Sequence, residues 1–187
     1  DLSNVSLGRT VFKACVFAKA RLVAVTAEMP VFQECDLTAA DLSHARLNQA
    51  IFQKGLFTEV CLMQADLRLS IVSDTSAGGL RAAGARFEKC VFKKVDLSNA
   101  SFDGITTDAL LWHTCTGEKV TLAGSDLFKF RISHDSAFPG LHLAGVAWKQ
   151  GYCRKSNLSQ ADLQGARLER TIFDACDLTR ANLNKAG

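Results

Sequence analysis

The large apolar residues of this chain return every five positions. From Leu2 the steps land on Leu7, Phe12, Phe17, Leu22, Ala27, Phe32, Leu37, Leu42, Leu47, Phe52, Phe57, Leu62, Leu67 and Val72. After a weaker stretch they resume at Phe87, Phe92, Leu97 and Phe102. Two residues ahead of these stands a small or compact one, as at Val5, Thr10, Cys15, Ala20, Ala40, Ala45, Ala50, Ala85, Cys90 and Ala100. Each unit therefore has two inward positions. A helix cannot use this spacing: five residues advance about 500°, or about 140° net, so the large side chains would wind around the whole surface. A straight strand alternates with period two, and an odd repeat would throw successive Leu and Phe to opposite faces. What remains is a short extended piece carrying both inward residues, followed by a turn that resets the alternation. The chain then winds around its own core.

The units also share a signature. Ala40-Asp41-Leu42-Ser43-His44, Ala65-Asp66-Leu67-Arg68, Ala161-Asp162-Leu163-Gln164-Gly165 and Ala181-Asn182-Leu183-Asn184-Lys185 resemble the Ala-(Asp/Asn)-Leu-x-x motif of pentapeptide-repeat proteins. The resemblance covers nearly the whole chain in register. It implies an all-β fold, a right-handed quadrilateral parallel β-helix with four pentapeptides and about 20 residues per coil. At a strand spacing of about 4.8 Å, about nine coils make a rod roughly 45 Å long. With two prolines and no shift in composition to mark a linker, residues 1–187 are expected to form one domain.

Positions twenty apart should then stack. One column reads Leu2, Leu22, Leu42, Leu62, Ala82, Phe102 and Leu122; another reads Phe12, Phe32, Phe52, Val72, Phe92, Trp112 and Ile132. The aromatic ladder Phe12, Phe32, Phe52, Phe92, Trp112 is core rather than a cofactor site, each large side chain contributing about 1.5–3 kcal/mol by burial. Two irregularities interrupt the pattern. Ala77 and Ala82 at large positions predict thinner or distorted middle coils. The phase then slips by one residue near 133–142, since Ile132 closes the first phase while Phe138, Leu143 and Trp148 belong to the next. The extra residue is expected near Ser136–Gly140, bulging outward with Pro139 and Gly140.

Charge narrows the function little. The 22 Lys and Arg against 19 Asp and Glu leave +3, spread along the chain, which is too weak to argue for nucleic acid or an anionic membrane. The densest basic run, Arg81, Arg86, Lys89, Lys93 and Lys94, is interleaved with Glu88 and Asp96. No apolar stretch is long enough to span a bilayer or to resemble a signal peptide. The chain starts in phase at Asp1 and Leu2 without an initiator Met, as expected of a piece of a longer protein; the expected location is the cytoplasm, or export within a larger effector.

No catalytic, cofactor or metal site is expected. Cys15, Cys35, Cys90, Cys115 and Cys176 occupy the small inward position, where a thiol packs as a compact apolar group, while Cys61 falls in an outward one. No CxxC pair suggests zinc. His113 and His134 should lie one coil apart near Asp135, but no nucleophile accompanies them, and a filled solenoid offers no pocket for a small-molecule substrate. The aspartates ahead of Leu, namely Asp36, Asp41, Asp66, Asp96, Asp126, Asp162 and Asp177, fit a role in hydrogen bonding the turn backbone.

One outward column is apolar: Val11, Val31, Ile51, Ile71, Val91 and Leu111, flanked by Lys13, Gln33, Gln53, Lys93 and His113. Stacked, it forms a strip about 24 Å long of the kind that marks a protein interface. Strand propensity of branched residues is the competing explanation. The expected partner is another protein, or a second copy joined through this stripe or through uncapped ends whose strand edges invite pairing. The resemblance implies a bacterial, non-enzymatic interaction or scaffolding module, of the kind found in secretion-associated proteins such as type VI accessories and effectors. The alternative is a DNA mimic that protects topoisomerases, as in fluoroquinolone-resistance members, against which a pI near 8.5 weighs.

Overall fold

The computed structural model describes all residues, Asp1–Gly187. Backbone partners lie twenty residues apart and run parallel: Val11 pairs with Val31, Val31 with Ile51, and Ile51 with Ile71. Three more parallel ladders accompany this one, through Val16, Asp36, Leu56 and Ser76, through Arg21, Asp41, Cys61 and Arg81, and through Thr26, Arg46, Asp66 and Arg86. Four ladders make a four-sided parallel β-helix. Faces 1 to 4 are named here for the inward columns that begin at Leu2, Leu7, Phe12 and Phe17. Face 3 is a nine-stranded sheet with one strand per coil, close to the expected coil count. There is no helix.

Many corners are tight turns closed by a bond across the repeat, as where the Ala40 N–H donates to Leu37 O at 2.9 Å; the corners after face 3 lack it. The third residue of the turn is left-handed, with φ of 54° at Ala39, 59° at Gln49 and 55° at Lys54. A non-glycine residue rarely sits there, at a cost of about 1–2 kcal/mol. Here the N–H of that residue is aimed at the next coil: Ala39 donates to Thr58 O and Gln49 to Arg68 O, both at 2.8 Å. The aspartates complete the corners. Asp36 Oδ1 accepts from the Thr38 N–H at 2.9 Å, Asp41 from Ser43 at 3.0 Å and Asp177 from Thr179 at 2.8 Å. Asp126, at the head of the strand Asp126–Phe128, makes no such bond.

Both inward columns merge into one cluster of 48 buried residues. Phe12, Phe32 and Phe52 stack with centroids 5.1 and 5.0 Å apart and ring planes within 23°. Val72 ends that stack. Beyond it, rings from different faces meet across the core, Phe92 with Phe102 at 6.1 Å and Phe102 with Trp112 at 5.3 Å. The middle coils are not distorted as the alanines suggested. Ala77 and Ala82 are buried, and the strands there, Ile71–Ser76 and Val91–Asp96, are the longest in the molecule and pair without a shift. Phe87, Phe92 and Phe102 converge on one another in these coils, so rings supply the volume that the alanines leave.

The phase slip has a definite place. Leu111 pairs with Arg131 at the usual spacing, whereas Arg131 pairs with Tyr152, one residue further on. The extra residue sits at the corner His134–Asp135, where two successive residues are left-handed, with φ of 56° and 57°. That lies inside the expected range 133–142, just ahead of Ser136–Gly140. Pro139 and Gly140 form an ordinary corner, with Gly140 at φ 70° and its N–H donating to Ser159 O at 2.8 Å.

Candidate interaction surface on face 3

The sheet register stacks Val11, Val31, Ile51, Ile71, Val91 and Leu111 in one unbroken column. Val11 is 65% exposed, Ile71 42% and Ile51 36%, while Val31, Val91 and Leu111 are half-buried among their neighbours. After Leu111 the column changes to Arg131, Tyr152 and Ile172. The apolar part therefore ends at the sixth coil.

The structure adds residues that the column reading missed. Val16 and Leu56 on face 4, and Met29 and Leu69 at the corner between faces 2 and 3, are also exposed and apolar. Met29 and Leu69 broaden the strip at its face 2 edge, in the second and fourth coils, while Val16 and Leu56 lie around the corner on face 4. The signal was weak because their own columns are mixed, with Asp36 and Ser76 alternating with Val16 and Leu56.

On the side of face 4, the strip is bordered by Lys13, Gln33, Gln53, Ser73, Lys93 and His113. Next comes the left-handed corner column Ala14, Glu34, Lys54, Asp74, Lys94 and Thr114. Its four charges join none of the ion pairs of the molecule, which lie elsewhere, as in Arg68–Asp66 and Arg86–Glu88 at 2.7 Å and Arg154–Asp174 at 3.1 Å. The basic run of the sequence is dispersed by the winding of the chain. Arg81 falls on face 1, Arg86 on face 2, Lys93 on face 3, and Lys89 and Lys94 at the two corners of face 3.

The other candidate chemistry resolves into structure. The rings of His113 and His134 meet edge-on at 4.5 Å, and neither forms an ion pair with a carboxylate. Desolvation, then the neighbouring His134, Lys93 and Lys94, hold the His113 pKa below its ordinary value. All seven cysteines are free thiols. Burial pushes Cys90 up to about 12 and Cys115 up to about 11, so both stay protonated at neutral pH and are poor nucleophiles. Cys61 lies in an outward column, as its phase implied, yet it is 7% exposed and buried. Cys153 and Cys176 bring their sulfurs to 3.1 Å. That contact crosses from the large inward position of one face to the small one of the next, a pairing that stacking at twenty residues does not reveal.

Concavities on the surface are open grooves with polar walls, such as the one lined by Asn48, Gln49, Arg68, Leu69, Glu88 and Lys89. No group of three or more His, Cys, Asp or Glu side chains is placed to hold a metal ion. No helix is long and apolar enough to cross a membrane.

A filled interior, flat outer faces and one coil every twenty residues define a repeat solenoid, a class in which broad surfaces rather than clefts meet partners. Eight copies of the pentapeptide-repeat model match residues 31–68, 73–106 and 152–186, more than half of the chain, which belongs to the pentapeptide-repeat family. The unmatched stretch between the last two segments contains the phase slip and two poor fits to the large inward position, Thr107 and Gly117, yet its coils stack as the others do. Among solved structures, full-length QnrB1, a plasmid-mediated fluoroquinolone resistance protein, is similar with a TM-score of 0.62 and 18% identity, covering 90% of this chain and 93% of that one. HetL, involved in heterocyst differentiation regulation in the cyanobacterium Nostoc sp. strain PCC 7120, gives a TM-score of 0.47 and 18% identity, covering 97% and 88%. At these identities the likeness is one of fold. No curated protein sequence matches the chain significantly.

Proposed function

We propose that the chain is a non-enzymatic protein-interaction module that presents face 3 to another protein. The observation that carries this is the unbroken apolar column Val11 to Leu111 on a flat, in-register sheet, broadened at the corner between faces 2 and 3 by Met29 and Leu69. Strand propensity accounts for branched residues within the column, but not for the exposed Met29 and Leu69 at its border. A flat apolar strip with a polar border has the anatomy of a protein contact. Membership of a bacterial secretion-associated assembly rests on the family resemblance alone.

The DNA-mimic reading gains from the likeness in fold to QnrB1 and loses on charge. A mimic of DNA needs an acidic track, whereas the corner between faces 2 and 3 carries Arg9, Lys89, Lys129 and Arg170 and no acidic residue, on a chain of net charge +3.

The test is recovery of bound proteins from cells that express the tagged chain, its Ile51→Asp/Ile71→Asp variant and a Ser101→Asp/Thr121→Asp control on face 1. A bound protein, this chain's own untagged copy included, should drop at least tenfold on the face 3 variant and not on the control. Equal recovery on all three would refute face 3 as the interface.

A further inference from the structure

Face 3 carries a pattern that is complementary to itself. The apolar column reads Val, Val, Ile, Ile, Val, Leu from Val11 to Leu111, nearly the same in both directions about its midpoint between Ile51 and Ile71. The corner column beside it reads neutral, acidic, basic, acidic, basic, neutral: Ala14, Glu34, Lys54, Asp74, Lys94, Thr114. Reversed about the same midpoint, every sign inverts. Glu34, Lys54, Asp74 and Lys94 are all exposed and are unpaired within the chain.

We propose that a second copy of this chain packs face 3 against face 3, rods antiparallel, about a two-fold axis lying between the strands Ile51–Gln53 and Ile71–Ser76. The proposal rests on the reading of face 3 as a protein interface and names its occupant.

An axis in the plane between two facing sheets, perpendicular to the rods, sends each column onto itself in reverse order. Ile51 then meets Ile71 of the second copy, Val31 meets Val91 and Val11 meets Leu111. Glu34 meets Lys94, and Lys54 meets Asp74, each pair occurring twice. The remaining cations of the overlap face uncharged residues, Lys93 opposite Gln33 and Lys89 opposite Met29. Lys13 lies opposite His113, whose depressed pKa keeps it neutral at pH 7.

A whole-coil shift of the axis keeps only one of the two kinds of opposite-charge pair, and other arrangements set like charges together. Moving the axis by half a coil sets Lys54 against Lys94, or Glu34 against Asp74. Running the rods parallel swaps the two corners and sets Lys94 against Lys89. Like charges placed opposite one another fix register and suppress wrong pairings, which is what the alternating column does here. Six coils make a contact about 24 Å long, on the scale of a reversible dimer.

The test uses residues that cannot touch within one chain, since Glu34 and Lys94 are three coils, about 14 Å, apart. Sedimentation velocity is measured on the chain, on Glu34→Lys, on Lys94→Glu and on the double variant. The wild-type chain should dimerise at tens of micromolar. Each single variant, which opposes like charges twice, should raise the dimer Kd at least tenfold. The double variant, which restores opposite charges only across the two-fold, should return to within about threefold of wild type. Circular dichroism on each variant checks that the rod is folded. A wild-type monomer, unaffected single variants or a double variant as weak as the singles would each overturn the two-fold arrangement. A monomer that still captures a different protein through Ile51 and Ile71 would leave face 3 an interface and remove only the second copy as its occupant.

Discussion

At the scale of single residues, the core is filled by exchange between neighbouring columns. Phe130 is a large residue at a small inward position, and one coil later the same column holds Gly151. The Trp148 indole takes up the space, donating from Nε1 to Phe130 O at 3.0 Å. A Cβ on residue 151 would fall 1.9 Å from Trp148 Nε1. Gly151→Ala is therefore expected to lower stability by roughly 3 kcal/mol in urea unfolding, the upper range of overpacking costs. The two tryptophans should also respond differently to Phe. Trp148→Phe removes one of the two bonds to the Phe130 carbonyl, which keeps the Tyr152 N–H at 3.1 Å, whereas Trp112 is buried with no partner for its Nε1, so Trp112→Phe removes an unpaired donor along with the lost volume. The Trp112 variant should be the more stable of the two, and equal losses would deny the indole bond any weight. Sequence spacing placed both rings inside; which indole is hydrogen-bonded depended on a glycine three positions along the chain.

At the scale of the element, the repeating unit is a short extended piece and a left-handed corner, and on faces 1 and 4 several of these corners are held by an aspartate. Hydrogen bonds from the side chain and backbone of Thr38 hold the Asp36 carboxyl below its usual range, and those of Thr179 do the same for Asp177. A carboxyl with a lowered folded pKa binds its proton less tightly than the unfolded chain does. Its contribution is present above the unfolded value of about 3.9 and is lost as the pH falls through the folded one. The urea midpoint should therefore fall as the medium is acidified below about pH 4. Asp36→Asn/Asp177→Asn keeps an acceptor at both corners and cannot titrate, so its midpoint should change less with pH. An identical acid profile in the variant would assign the loss to other carboxyls. The role of these aspartates follows from their place ahead of Leu, since a short acceptor there reaches the N–H two residues on.

At the scale of the molecule, everything depends on phase. The extra residue at His134–Asp135 is tolerated because the corner absorbs it as a second left-handed residue while the strands on either side stay paired. Deleting Asp135 should restore an unbroken twenty-residue repeat at a cost within about 1 kcal/mol, whereas deleting Gly104 puts every later Leu and Phe out of step with the coils before it. A cooperative urea transition for the first variant and none for the second is the expected outcome; similar transitions for both would mean that the coils are not locked in register. The period of five, with its two inward positions, was enough to exclude a helix or long strand and to sort residues into inside and outside, because only a turn in every unit buries an odd repeat. It also marked the column from Val11 to Leu111. The site of the extra residue was not legible, since a residue added at a corner shifts the phase of all that follows without naming its own position, and Pro139 with Gly140 looked the better bulge. Nor was the intact packing around Ala77 and Ala82, because Phe87, Phe92 and Phe102 meet across the core from different faces. The opposed signs of Glu34, Lys54, Asp74 and Lys94 stand twenty residues apart and carry no pattern along the chain. Only the winding of the coils sets them side by side.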